Sequence, residues 1–341
     1  MVFELTDGLA RCPEERWREL ALCISNLLIG YYEGNLILSA SYVLCRFLEL
    51  RKLAEGYREK LALQHLMNNN EARPAVLWHI RVVLDSPNVN DHELDITFFN
   101  KTESIQPSSF LCEHIFDIRF YMRQAMHYYP NSYMIAIERS GGGGATVDVF
   151  KSIKSRCLIC LTILDSDCKY PGSRRPPIGS TAYRCEHSYT TKKTNIELLI
   201  LPVHEVENLI PLSFIYQSAD ADGRKFLKRL EKQGVQNHMI YYDVKRGIIK
   251  EDAAGDSGLM AFAKNLYDDI CQNRQSFEAY FNHKKPKEHL HPAFGEDILK
   301  EYLDDKFRVY QPDMFDTYRK SIADLVHTFF CCRGFNPINE I

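Results

Sequence analysis

The stretch RCLICLTILD, residues 156–165, carries eight uncharged and mostly apolar residues in a row and then stops on a carboxylate. A second carboxylate, Asp167, follows at once. The run is far shorter than the ~20 residues a membrane helix needs. It also lacks the alternation of a half-buried strand, so it reads as a strand covered on both faces. Such a strand needs neighbours beside it and helices above and below. That restricts the central part of the chain to an α/β layout with a mainly parallel sheet.

The flanking pattern agrees. SYMIAIE (132–138), TNIELLILP (194–202) and NHMIYYDVKRG (237–247) read as further strands, with helical segments ATVDVFKSIKS and DGRKFLKRLEKQG between them. The first third reads as helical. Trp17, Leu20, Ala21, Ile24, Leu27 and Leu28 share one helical face, and YVLCRFLELRKLAEGYREKLALQHLM is a second helical run that NNNEARP breaks. ELDITFFN reads as a short strand, and SSFLCEHIFDIRFYMRQAMHYY as a third helix capped by Ser108 or Ser109. Near the C-terminus Phe315, Tyr318, Ile322, Leu325 and Phe329 mark another buried helical face. The expected organisation is a helical region over 1–130, an α/β domain over 131–250 and a helical region over 251–341.

Composition narrows the function classes. The chain has 341 residues, is 45% hydrophobic and carries a formal net charge of −3. It has material for a full core and no basic excess, so nucleic-acid binding would need local cations or bridging metal ions. MVFELTDGLARCPEERW is not a signal peptide, and no apolar run is long enough for a membrane span. The eleven cysteines, odd in number and scattered, read as reduced thiols of a cytoplasmic protein. Cys157 and Cys160 lie three apart in a strand and point to opposite faces, which disfavours a shared zinc.

Ligands of open α/β sheets bind beyond the carboxyl ends of the strands. Here those ends are acidic: Glu138 after the first expected strand, Asp165 and Asp167 after the second, Glu205 and Glu207 after the third. Several carboxylates on one sheet edge stay ionised together only with a cation among them. An oxygen-only donor set selects Mg²⁺ or Mn²⁺.

The ordered set of Glu138, then Asp165-x-Asp167, then HEVENLIP with Glu205 and Glu207, resembles the TOPRIM domain of topoisomerases, primases and OLD-family nucleases. The segment YYDVKRGI resembles a later Asp-x-Lys-x-Gly stretch of TOPRIM-like defence proteins and would place Lys245 by the phosphate. The resemblance implies a metal-dependent nuclease acting on DNA or RNA, an anti-phage effector working beside an ATPase or sensor protein, and capable of self-assembly. In it Glu138 would be general base or ligand, Asp165 and Asp167 would hold a second ion, and Glu205 and Glu207 would complete the shell.

Two departures, Arg139 directly after Glu138 and only 27 residues between Glu138 and Asp165, motivate an alternative: a non-catalytic assembly protein with a degenerate site. A phosphotransferase or phosphatase acting on nucleotides is a third reading. SGGGGAT lacks the lysine of a Walker loop and reads as a turn. Basic candidates for a nucleic-acid track are Arg174 and Arg175, Lys192 and Lys193, the stripe Lys225, Lys228, Arg229 and Lys232, and HKKPK at 283–287.

Overall fold

The computed structural model describes residues 1–68, 79–85, 87–88, 92–156, 158–173, 175–190, 193–271, 276–305 and 312–331. Cys157, Arg174, Lys192 and all but the first residue of NNNEARP lie outside the described residues.

The α/β class is present, in two parallel sheets rather than one. The strands of the first are β1 (Val2–Leu5), β2 (Ile37–Ala40), β3 (His79–Val83) and β4 (Glu93–Asp95), in the order β2-β1-β3-β4. The region before residue 130 thus carries a parallel sheet beside its helices. The second sheet contains β5 (Ser109–Cys112), β6 (Ile137–Ser140), β7 (Cys160–Leu164) and β8 (Ile196–Ile200), in the order β6-β5-β7-β8, and every pairing in both sheets is parallel.

β7 is the strand that the apolar run announced, and all five of its residues are buried. β5 is the strand the sequence hides. Its four residues are also all buried, so it has no alternation and merges with the helix Ile115–Tyr128 that follows. Ser109 is thus a strand residue, not a helix cap. The helix is capped instead by Asp117, whose carboxylate accepts the His114 amide at 2.9 Å.

NHMIYYDVKRG is not a strand. It forms a 3₁₀ turn over Gln236–Ile240 and then a loop, and its apolar side chains Met239, Tyr242 and Val244 are buried without sheet pairing. Among the described residues, the last third is helical apart from one short antiparallel pair, β9 (Ile248–Ile249) with β10 (His289–His291). One apolar core runs from Phe3, Ile80 and Val82 of the first sheet to Phe110, Leu161 and Ile163 of the second, and another holds Leu111, Cys160 and Leu164 of the second sheet with Val147 and Phe150.

Candidate functional site

The carboxyl ends of three adjacent strands deliver acid. β5 runs into Glu113, β7 into Asp165 and Asp167, and the segment after β8 into Glu205 and Glu207. β6 delivers the glycine turn. Gly142 and Gly143 adopt φ of 68° and 46°, a region glycine enters without strain, and the Gly142 amide donates to the Glu113 carbonyl at 3.0 Å. A Cβ on Gly141 would lie 2.3 Å from the Thr146 amide nitrogen. The turn is built for close packing against the strand end.

These ends enclose a cavity of about 380 Å³ lined by Glu113, Asp117, Gly142, Gly143, Asp165, Glu207 and Lys245. Glu296, Asp297 and Lys300 close it from the C-terminal region. Glu113, Asp117, Glu296 and Asp297 were not singled out from sequence. Glu113 had a signal, a Glu directly after the buried segment Ser109–Cys112, which a helical reading of the segment concealed.

Glu138 is not part of this arrangement. It is exposed in the middle of the edge strand β6. Glu138 pairs with Phe110, and Phe110 pairs with Leu161. It therefore stands four residues short of Asp165, roughly 13 Å at ~3.3 Å per residue. The side chain of Arg139 is also accounted for, since it donates to the Ser109 hydroxyl at 2.9 Å.

The two acidic loops are latched together. The Asp167 amide donates to the His204 carbonyl at 3.0 Å, and Ser166 donates its hydroxyl to the Val203 carbonyl at 2.5 Å. Asp165 Oδ1 accepts the Val206 amide at 3.0 Å. Asp167 holds a left-handed backbone, φ 54°, which Asp tolerates better than most residues. Asn208 knits the next layer. Its amide group donates to the Met239 and Tyr242 carbonyls at 2.6 and 2.7 Å, and its Oδ1 accepts the Glu205 amide at 2.8 Å. The Asn of the Glu-x-Glu-Asn segment thus fixes the acids against the loop that carries Lys245.

Lys245 supplies the cation. Its Nζ lies 2.8 Å from Glu205 Oε2 and 3.2 Å from Glu207 Oε1. Burial works against the ammonium, but Glu205 and Glu207 outweigh it and hold Lys245 above its ordinary range. One cation does not neutralise the cluster. Burial, then the neighbouring charge of Glu207, pushes Glu205 up to about 8. Burial pushes Asp117 up to about 7, with Glu207 adding to it against the His114 amide bond. Asp165 is raised well above its usual range by burial and then by Asp117, Glu207, Glu205 and Glu113. Burial also raises Asp167 and Glu113. His204 is not an acid–base partner near neutrality, because burial pushes its ring down to about 4.

Two carboxylate oxygens, Glu205 Oε1 and Glu207 Oε2, are buried with no hydrogen-bond partner among the described residues. Unpartnered buried carboxylate oxygens are costly, and their donor chemistry fits a hard divalent cation. Among the described residues, no three His, Cys, Asp or Glu side chains are already gathered around one ion position; Lys245 is the cation that Glu205 and Glu207 hold here. No protein-family model, no curated protein and no solved structure matches this chain. Among the described residues, no helix is long and apolar enough to cross a membrane.

Asn208→Ala is expected to destabilise the protein by about 3 kcal/mol, since it strands two buried carbonyls and one amide. Urea unfolding of the variant against wild type measures this; a change within experimental error would show that the acidic turn does not depend on Asn208.

Proposed function

We propose that the chain is a divalent-metal-dependent phosphodiesterase of TOPRIM type acting on nucleic acid. The observation that carries this is the convergence of Glu113, Asp165, Asp167, Glu205 and Glu207 on one edge of a parallel sheet, with two buried carboxylate oxygens left without a partner among the described residues. In this reading Glu113 replaces Glu138 as the acid after the first strand of the sheet. β6, β7 and two helices then lie between that acid and Asp165, and the short spacing that favoured a degenerate site concerned Glu138 alone.

Glu113, Asp165 and Asp167 would hold Mg²⁺ or Mn²⁺, with Glu205 and Glu207 completing the set. Bound there, the metal would supply Lewis-acid stabilisation of a phosphoryl oxygen and a nucleophile from water. The chain's own contributions are distinct. Lys245 places a positive charge beside the carboxylates, where it would pair with a phosphate oxygen. The latched Asp165 and Glu205 loops hold the acids in fixed relation, and the Gly141–Gly143 turn lets a substrate backbone approach the floor of the cavity. The defence setting and an ATPase or sensor partner rest on the resemblance of the motifs.

Mn²⁺ or Mg²⁺ is expected to raise the unfolding temperature of wild type. Saturation at a hundred times Kd corresponds to about 2.7 kcal/mol of added stability. An Asp165→Asn/Asp167→Asn variant should lose that response, and with it the cleavage of DNA or RNA. Equal responses of variant and wild type would remove the metal site from these residues.

A further inference from the structure

Two basic segments identified in the sequence meet in the fold. Lys225 and Arg229, one turn apart on the helix Ala221–Gln233, and Lys284 and Lys287, after the helix Phe277–His283, line one open groove of about 1020 Å³. Its acids are already engaged. Asp220 caps its helix by accepting the Gly223 amide at 2.7 Å, Asp222 pairs with Lys225 at 3.3 Å, and Glu288 accepts the Lys285 amide at 3.0 Å. Among the described residues, Arg229, Lys284 and Lys287 have no carboxylate partner. Lys284 lies 5.5 Å from the centre of the Tyr280 ring.

One loop borders both the groove and the carboxylate cavity. Residues 292–295 line the groove, and Glu296 and Asp297 line the cavity. The same loop is tied beside Lys245, since the Phe294 amide donates to the Val244 carbonyl at 2.9 Å. Two of the other basic candidates are spent on the fold: Arg175 donates to the Leu201 carbonyl and Lys193 to that of Lys154.

We propose that this groove carries the single strand of nucleic acid that leads to the scissile phosphate, with Arg229, Lys284 and Lys287 pairing with its backbone phosphates. The proposal rests on the reading of the carboxylate site as a nuclease centre. A chain with a net charge of −3 has little long-range attraction for a polyanion. Unpaired cations along a groove with an aromatic wall are what single-strand tracks use.

The test is fluorescence anisotropy with a labelled oligothymidylate in EDTA, comparing wild type with the triple variant Arg229→Gln/Lys284→Gln/Lys287→Gln. Without metal the readout is binding alone. The variant is expected to bind about 10-fold or more weakly, and the slope of log affinity against log salt should become shallower by about 2, at ~0.7 for each phosphate that is no longer neutralised. The single variant Lys287→Gln, at an exposed position, should show a smaller loss in the same direction. Unchanged affinity and slope overturn the proposal. A duplex that binds as tightly and responds equally to the substitutions overturns the single-strand assignment.

Hydrolysis of bis(p-nitrophenyl) phosphate with Mn²⁺, a diester too small to reach the groove, separates the two readings. It should be unchanged in the triple variant, and a loss there overturns the groove assignment. Wild type that binds the strand through these residues but cleaves neither substrate upholds the groove and refutes the nuclease centre.

Discussion

Glu113→Gln is expected to lower nucleic-acid cleavage by about 10³-fold, within the ~10²–10⁴ range of a positioned acid–base group, while Glu138→Gln leaves the rate unchanged. The prediction follows from register. Glu113 directly follows Cys112, the last residue of β5, and lines the cavity with Asp165. Glu138 is paired inside an edge strand, at the level of Phe110, and exposed. Folding should not confuse the result. Burial and the charge of Asp167 hold the Glu113 carboxyl above its usual range, so a neutral side chain of the same shape removes a repulsion. Thermal unfolding in EDTA should show Glu113→Gln as stable as wild type or more so. A Glu138→Gln variant without activity beside an active Glu113→Gln would refute the placement.

That contrast also shows which parts of the site the sequence could yield. β7 was legible because eight uncharged residues in a row have few other uses, and the acids after it were legible because they interrupt it. Glu205, Glu207 and Lys245 were singled out by motif, and the structure brings Lys245 within hydrogen-bonding reach of both glutamates. β5 was not legible. Phe110, Leu111 and Cys112 stand only two residues before a helix, and a four-residue buried strand gives no period to separate it from a helical turn. Losing β5 moved the first strand one position along the chain and handed its acid to Glu138.

The strands Val2–Leu5 and Ile37–Ala40 escaped for the same reason, each four residues long beside strongly periodic helices. The opposite error occurred at Met239–Val244. There apolar side chains are buried by packing under the acidic loop, not by strand pairing. Glu296 and Asp297 carry no local signal, because only tertiary folding brings them to the cavity.

Lys245→Met is expected to destabilise the metal-free protein by about 3 kcal/mol at pH 8, since it removes the cation from a buried ion pair and leaves the carboxylates. The effect should depend on pH. Glu205 and Asp117 sit at about 8 and about 7 in the folded state, above the ordinary carboxyl range of the unfolded chain. Between those limits the folded state binds more protons than the unfolded state. The stability these groups contribute is then fully present below about pH 4 and lost as pH rises through about 7 to 8.

Metal-free wild type should therefore unfold more readily at about pH 8 than at about pH 5, and Lys245→Met should widen that difference. Near pH 5 the carboxyls can take up protons, so the variant should approach wild type. Mg²⁺ or Mn²⁺ should restore the variant most strongly at high pH, because binding must displace those protons. Urea unfolding in EDTA and in excess Mn²⁺ across this range decides the matter. A Lys245→Met deficit that is independent of pH and untouched by metal would mean that Lys245 serves packing alone. A deficit that grows with pH and disappears with Mn²⁺ would mean that a lysine and a divalent ion satisfy the same buried carboxylates by turns.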